Sequence, residues 1–403
     1  MKSQIPNSKF QIVIVGAGPA GASLAIRLAK HNFKVCLIER EKFPRHKLCG
    51  EFISPECLRH FRDLDVFDEM LSAGGERIEK TVFYEPNGKS VGVPSKWFNA
   101  SGQNALSLSR AEMDFRLLEK AKQTGAEVLE ETQTVGLATE NGEICGVKVK
   151  SKDGATREII ADITIDATGR ATVLAKLAEK SKVESSNFQK SKIQNRLVGF
   201  KTHLKNAAPE KGACEIYFFS GGYGGLSPVE DGLANLCFLI RAETVRKFGG
   251  DAEKIVQEVV FRNKRAEKTL QNAESIIDWL AVSVDTFGAK DLNPAKNLFS
   301  IGDAAAFIDP FTGSGMLMAL ESAEIFANIA AENFHSPAQI AEKYKLFHRE
   351  KFQKRLRVCS IMRRAAFVPA LANLAISALG MSEAARRILA RATRQTIPAG
   401  ENK

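Results

Sequence analysis

Hydrophobic positions change period several times along this chain, and each change marks an element. Phe10 to Val15 is a short β-branched run, Pro19 to Lys30 carries apolar residues at helical spacing, and Lys34 to Ile38 returns to a strand pattern. The first forty residues therefore read as strand, helix, strand. Residues 110–124 read as a helix ended by Gly125. From Ala126 to Ile165 apolar and polar positions alternate, broken at Asn141-Gly142 and Asp153-Gly154. Both dipeptides tolerate positive φ and favour hairpin turns, which predicts a three-stranded meander. Residues 76–98 and 195–245 form a second β-rich region with Gly-rich turns at 221–225, and 251–273 read as helical. Leu298 to Ile301 is another short strand, 314–333 an apolar helix, and the tail from Pro337 onward is helical, basic and amphipathic.

This order predicts interleaved domains without internal repeats. One α/β unit is assembled from residues 1–75, 105–185 and 275–335. A β-rich second domain is inserted as 76–104 and 186–274, and 336–403 forms a helical C-terminal segment. A chain of 403 residues is long enough to bury a substantial core in such an arrangement.

The seven cysteines (36, 49, 57, 145, 214, 237 and 359) form no CxxC pair and no zinc-type spacing. An odd, scattered set argues for a reducing compartment, and no metal site is expected. MKSQIPNSKF has no apolar segment of the secretory kind. No run reaches the roughly 18–20 apolar residues of a spanning helix. A cytoplasmic location is the expectation.

The net charge is +10, concentrated near the C-terminus. Lys351 to Arg394 holds ten Lys or Arg against Glu383, a local charge of +9. Within it Ala365 to Gly380 is uncharged, bracketed by Arg363-Arg364 and by Arg386-Arg387, Arg391 and Arg394. Such a segment suits peripheral contact with the inner face of a membrane. The competing expectation is that it packs on the protein's own core or closes a cavity. No nucleic-acid-binding signature accompanies the charge, so nucleic acid is not an expected partner.

Gly16-Ala17-Gly18-Pro19-Ala20-Gly21 follows the first strand and opens the first helix. Gly16 permits the tight turn, Gly18 lets a pyrophosphate approach the backbone, and Gly21 lets the helix pack close to the sheet. The helix N-terminus offers unpaired N–H groups to phosphates. Glu39, followed by Arg40, ends the second strand where a carboxylate binds ribose hydroxyls. This unit, Ala20 included, reads as dinucleotide-binding but does not separate FAD from NAD. Two later segments do. Ile163 to Arg170 is a strand ending in a DATG turn that contains Asp166 and Gly169. Leu298 to Met316 (LFSIGDAAAFIDPFTGSGM) is a strand leading to Gly302 and Asp303, then a turn at Pro310. Gly313, Ser314, Gly315 and Met316 then open another helix. Its dipole would favour an anionic reduced flavin. Ser314 also fits a helix N-cap.

These three segments resemble the glutathione-reductase-type FAD fold. More narrowly, over about residues 10–335, they resemble the superfamily of p-hydroxybenzoate hydroxylase, a group A flavin monooxygenase, and geranylgeranyl reductase. It also contains flavin-dependent halogenases. The resemblance implies an α/β Rossmann-like FAD domain with an interleaved β-rich substrate domain. It implies that Gly16, Gly18, Gly21 and Glu39 hold the ADP half, with Val135 flanking the adenosine. It places Arg110 on the flavin side, and Asp303 with the 313–316 turn at the ribityl chain and ring; the other reading of Arg110 is a salt bridge at the start of its helix. NAD(P)H is implied as a transient reductant, because no second Gly-rich nucleotide fold is visible.

The stretch Pro44 to Glu51 looks like that of geranylgeranyl reductases, where a Cys-Gly pair lies near flavin and substrate; Cys49 is the candidate. Its other reading is a small buried hydrophobe. Those reductases carry Y-x-W-x-F-P beside the cavity, and here the stretch is Tyr223-Gly224-Gly225-Leu226-Ser227-Pro228. Gly225 and Ser227 replace the bulky residues, which would open the cavity wall and let substrate approach flavin C4a. That favours hydroxylation of a hydrophobic phenolic, polyketide or lipid substrate through a flavin C4a-hydroperoxide. The alternative is reduction of an isoprenoid C=C bond. A halogenase would need its lysine, for which Lys80 is the nearest match, and a binding module that uses FAD for stability alone is a further, non-enzymatic reading. Tyr223 and His46 are candidate catalytic groups.

Overall fold

The computed structural model describes residues 9–99, 101–182, 197–284, 287–367 and 369–393. The chain begins β1 (Phe10–Val15), α1 (Pro19–Lys30), β2 (Val35–Ile38). β3 (Phe52–Ile53), α2 (Cys57–Asp63) and α3 (Phe67–Ser72) lead to β4 (Glu76–Ile78), β5 (Lys80–Tyr84) and β6 (Ser90–Pro94). Next come β7 (Ala105–Ser107), α4 (Arg110–Gln123), β8 (Glu127–Leu129), β9 (Thr132–Glu140), β10 (Glu143–Ser151), β11 (Thr156–Asp166) and α5 (Val173–Lys182). Four long strands follow: β12 (Leu197–Lys205), β13 (Ala213–Phe219), β14 (Gly222–Pro228) and β15 (Ala234–Arg241). Helices α6 (Ala242–Lys247), α7 (Ala252–Glu258) and α8 (Lys264–Leu270) precede the short strands β16 (Glu274–Ser275), β17 (Leu280–Val284), β18 (Gly288–Ala289), β19 (Leu298–Ser300) and β20 (Ala306–Phe307). The chain continues with α9 (Gly315–Asn333), α10 (Pro337–Ala366), α11 (Pro369–Met381) and α12 (Glu383–Ala392).

The first sheet has the order β8-β2-β1-β11-β10-β9, with β19 also on β11. β11 does two jobs. Its first half, Thr156–Ile160, pairs antiparallel with β10; its second half, Ala161–Asp166, runs parallel to β1. β19 lies parallel on the other side of that second half. The C-terminal ends of β1, β11 and β19 are thus adjacent, and three segments far apart in sequence meet along one edge. Ala126–Ile165 holds four strands rather than three, because β8 leaves the meander to pair with β2. Apolar side chains of α1, α4 and α9 pack one face of this sheet into the largest core.

The second sheet has eight strands, ordered β16-β12-β15-β14-β13-β5-β6 with β17 also on β12. Alternation along its strands separates two faces. Val82, Tyr217, Leu226 and Leu236 pack against α7 and α8. Their neighbours Phe83, Ile216, Phe218, Tyr223 and Leu239 face the opposite way and line a cavity. Because β16 and β17 pair with β12, residues 274–284 join this sheet, although the sequence assigned 275 onward to the first unit. β4, at the start of the inserted segment, pairs instead with β7. Strand partners are long-range choices that local pattern does not encode. The boundary expected at 185 lies outside the described residues.

Candidate functional site

One continuous cavity of about 1180 Å3 runs from the edge where β1, β11 and β19 end to the open face of the eight-stranded sheet. That exceeds the roughly 300–1,000 Å3 of a single small-ligand pocket. It has room for a large cofactor and a substrate together.

The cofactor end is built by backbone. Gly16 has φ +102°, and a Cβ there would strike the Ala167 carbonyl. A Cβ on Gly21 would collide with the Gly16 carbonyl oxygen, so helix and strand approach as closely as glycine allows. Gly18 caps α1 with no side-chain hydrogen bond, leaving the first-turn N–H groups facing the cavity. Glu39 accepts from the backbone N–H groups of Ala17 (2.9 Å), Arg40 (3.0 Å) and Glu41 (3.2 Å). Gly18, Ala20, Glu39, Arg40 and Arg110 line this end.

Arg110 donates twice to Asp114, at 2.7 and 2.6 Å. Burial opposes its charge, but Asp114 more than compensates and its pKa is raised. Arg45 joins the same carboxylate at 2.8 Å. Lys47 nearby is pushed down to about 8, first by desolvation in the cleft and then by repulsion from Arg45, Arg110 and Arg40. Cations crowded enough to depress a lysine form a ready site for a pyrophosphate. Arg45 and Lys47 lie in the Pro44–Glu51 stretch, which the sequence marked for Cys49 and not for these cations.

The second and third motifs divide between lining and support. Gly169, Asp303, Pro310, Gly313, Gly315 and Met316 line the cavity. Asp303 is half-buried, and among the described residues its carboxylate accepts no protein hydrogen bond. Burial raises its pKa, against the pull of Arg170, Arg110, Lys290 and Lys47. A carboxylate aimed into the cavity without a partner fits a hydroxylated chain. Gly302 is support: at φ +58° its missing Cβ makes room for Ala20. Asp166 is support as well. It accepts from Thr168 N–H and O–H (3.0 and 2.6 Å) and from the N–H groups of Leu174 and Ala175 (3.0 and 3.1 Å), so it caps α5 and does not line the cavity. Ser314 is buried at the start of α9, away from the lining. Val135 is 43 % exposed, while Thr134 and Thr132 beside it line the cavity. The β-strand alternation turns Val135 outward.

At the sheet end, Cys49, His46, Tyr223 and Gly225 all line the cavity. Cys49 accepts from Glu51 N–H at 3.4 Å, and its carbonyl accepts from Asn235 Nδ2 at 3.0 Å. Tyr223 donates to Asp309 Oδ1 at 2.5 Å. Burial, then Asp309, holds its pKa well above the usual phenol value, so it acts as a donor and not as a base. Asp309 also accepts from Phe311 N–H at 2.9 Å, which ties the sheet to the turn before α9. A Cβ on Gly225 would meet only the tip of Ile216 at 3.2 Å and the Glu215 carbonyl oxygen at 3.7 Å. Ser227 does not line the cavity. Its hydroxyl lies 2.8 Å from that of Ser107, so of the two small residues only Gly225 shapes this wall. Lys80 points away and pairs with Glu210 at 2.6 Å on the surface.

A buried ionic cluster escaped sequence reading. Glu51 bonds Lys201 Nζ, His203 Nε2 (2.7 Å) and the N–H of Arg110 (2.7 Å). Lys201 also donates to the Lys47 carbonyl at 3.1 Å. Full burial works against the Glu51 charge, yet His203 and Lys201 hold its pKa below the ordinary 4.5. The cluster anchors the loop carrying Cys49 to β12 and to the start of α4. His46 packs edge-on against His203 (5.2 Å), and desolvation, then His203 and Lys201, lowers its pKa. Among the described residues the one group with metal-ligand geometry, His60, Asp63 and Glu324, lies outside the cavity lining, and Glu324 is paired with Arg59 at 3.0 Å.

The C-terminal helices close the cavity. Ile376 and Leu379 of α11 and Leu389 and Ala390 of α12 line it, and Arg386 donates to the Gly92 carbonyl at 3.1 Å. The expectation that the tail covers the cavity describes these inner faces. Arg394 lies outside the described residues. No helix among the described residues is long and apolar enough to cross a membrane.

The FAD binding domain family matches residues 9–341. Digeranylgeranylglycerophospholipid reductase 2 of Methanopyrus kandleri is 27% identical over 359 residues, covering 86% of this chain and 84% of the relative. The flavin-dependent brominase Bmp2 superposes with a TM-score of 0.78 at 17% identity, covering 95% of this chain and 94% of that one. A geranylgeranyl bacteriochlorophyll reductase-like protein from Thermoplasma acidophilum gives 0.76 at 18% identity, with 96% and 97% covered. At those identities the two structures establish the fold alone. The cradle of Gly16, Gly18 and Glu39, the crowded cations and the unpartnered Asp303 fit FAD. The chain therefore belongs to the FAD binding domain family and is an FAD-dependent oxidoreductase of the superfamily that joins geranylgeranyl reductases to the flavin hydroxylases and halogenases.

Proposed function

We propose that this enzyme is a monooxygenase that uses NAD(P)H and oxygen to hydroxylate a hydrophobic substrate, of phenolic, polyketide or lipid character. Bound FAD would supply the electron transfer from NAD(P)H to oxygen. Gly16, Gly18, Gly21 and Glu39 would hold its ADP half, Arg110 would reach its flavin side, and Asp303 with the Gly313–Met316 turn would hold its ribityl chain and ring. The observation that carries the reading is Gly225 on the cavity wall, where the resemblance to geranylgeranyl reductases implies a tryptophan. Removing an indole leaves space for substrate against the cofactor. Phe83, Phe218 and Leu239 make that wall apolar and exclude water. Tyr223 and Asp309 hold the turn before α9 in register with it. NAD(P)H would bind transiently, and the enzyme would sit peripherally at a membrane that supplies the substrate.

A second reading, reduction of an isoprenoid C=C bond, is favoured by Cys49 in the cavity lining and by the relative named as a digeranylgeranylglycerophospholipid reductase. Turnover with NAD(P)H under isotopically labelled oxygen separates the two. Product carrying one labelled oxygen atom supports hydroxylation. Product formed without oxygen, with two added hydrogens, overturns it in favour of reduction.

A further inference from the structure

We propose that the outer face of α11 and α12 is a docking surface for an anionic lipid bilayer, while their inner face roofs the cavity. The inference rests on the reading of the substrate as hydrophobic, and it names the surface through which the enzyme meets that substrate's source.

Both helices carry apolar residues on the inner and the outer side. Inward, Ile376, Leu379 and Leu389 line the cavity. Outward, Leu374 is 67 %, Met381 89 % and Ile388 69 % exposed. With Ile361 of α10, at 69 %, these are the four most exposed large hydrophobic residues among those described, and they fall within 28 positions of one another. Single exposed apolar residues need no explanation, but a cluster on consecutive helices does. The spacing accounts for it: Leu374 and Met381 are seven apart on one side of α11, and Ile376 and Leu379 occupy the other.

Charge selects the occupant. Arg355 and Arg363 of α10 turn inward to Glu321 and Asp309, but Arg387 and Arg391 lie exposed on α12 beside Ile388. The pair Arg387–Glu383 is itself exposed and offsets little of that charge. A second copy would bring two such surfaces together and repel. An anionic headgroup layer attracts the arginines while its acyl boundary takes the apolar side chains, and the two contributions add.

The test uses the full chain with FAD and vesicles of phosphatidylcholine, with or without phosphatidylglycerol. In flotation, recovery with phosphatidylglycerol should exceed that with phosphatidylcholine alone by about tenfold or more, and should fall as salt is raised. A triple variant, Leu374→Ser, Met381→Ser and Ile388→Ser, should lose about tenfold of that recovery with its unfolding temperature unchanged, because all three side chains already face solvent. Wild-type protein left in the soluble fraction with phosphatidylglycerol vesicles overturns the proposal. So does a triple variant that floats like wild type, or one whose loss of flotation tracks the loss of a self-associated species seen without lipid. Flotation without any hydroxylated product would overturn the proposed reaction alone, and hydroxylation in detergent without flotation would overturn the docking alone.

Discussion

The two ends of the cavity are made in opposite ways. At the cofactor end the chain's backbone does the shaping, and the missing Cβ atoms of Gly16 and Gly21 face the carbonyl groups of Ala167 and Gly16, in the turns just after β11 and β1. At the sheet end side chains do the shaping, and the missing Cβ of Gly225 faces the flexible tip of Ile216. Backbone cannot move aside without breaking ladder hydrogen bonds, whereas a side chain changes rotamer at small cost. The cofactor end is therefore intolerant of substitution and the sheet end adjustable.

The comparison breaks most visibly at Gly21. Gly21→Val should separate α1 from β1, cost more than about 5 kcal/mol, and yield protein that is unfolded or purifies without FAD. Normal FAD content and unfolding temperature in this variant would show that the backbone contact does not govern the cradle.

Lys201→Met probes the join between the two ends. Leaving Glu51 buried without its cation should cost about 3–5 kcal/mol in urea unfolding. The pH sign follows from the depressed pKa of Glu51 in the folded state. Its stabilisation is present above the ordinary value of 4.5 and is lost as pH falls through the folded value. Without Lys201 to hold the Glu51 pKa down, the variant should lose less stability than wild type as pH falls through the carboxylate range. Identical acid limbs in thermal melts across pH 3–7 would remove the cluster from the stability argument.

The smallest stability effect is expected at Gly225. Gly225→Trp should cost about 1–3 kcal/mol while Ile216 repacks, with FAD retained. Its consequence is chemical: NAD(P)H oxidation should continue with peroxide released in place of hydroxylated product. Undiminished coupling, measured as product formed per NAD(P)H consumed, would show that Gly225 does not border the substrate's path.

The legibility of the site follows the same division. The tight turn at Gly16 and the close approach at Gly21 have a local signature, because a strand, a turn and a helix stand in register. Asp303, Gly313, Gly315 and Met316 line the same cavity because the strands before them end along one edge. Val135 and Asp166 were misplaced for physical reasons. The first lies one residue from the position that strand alternation turns inward, and the second is consumed in capping α5. Arg45, Lys47 and Glu51 stand in the stretch marked for Cys49, but the cluster that Glu51 forms with Lys201 and His203 had no signature, because its members lie about 150 positions apart.

The local pattern of the chain set the Rossmann-like unit and its cofactor, because glycine geometry and hydrophobic period act over a few residues. It also determined the basic, apolar character of the C-terminal helices. Only the tertiary structure decided which strands pair, and so brought β1, β11 and β19 side by side and moved 274–284 into the second sheet. It alone decided that α11 and α12 turn one face to the cavity and the other to solvent. Those outcomes depend on contacts between distant segments, whose free energy is set by mutual burial and not by any local preference of the chain.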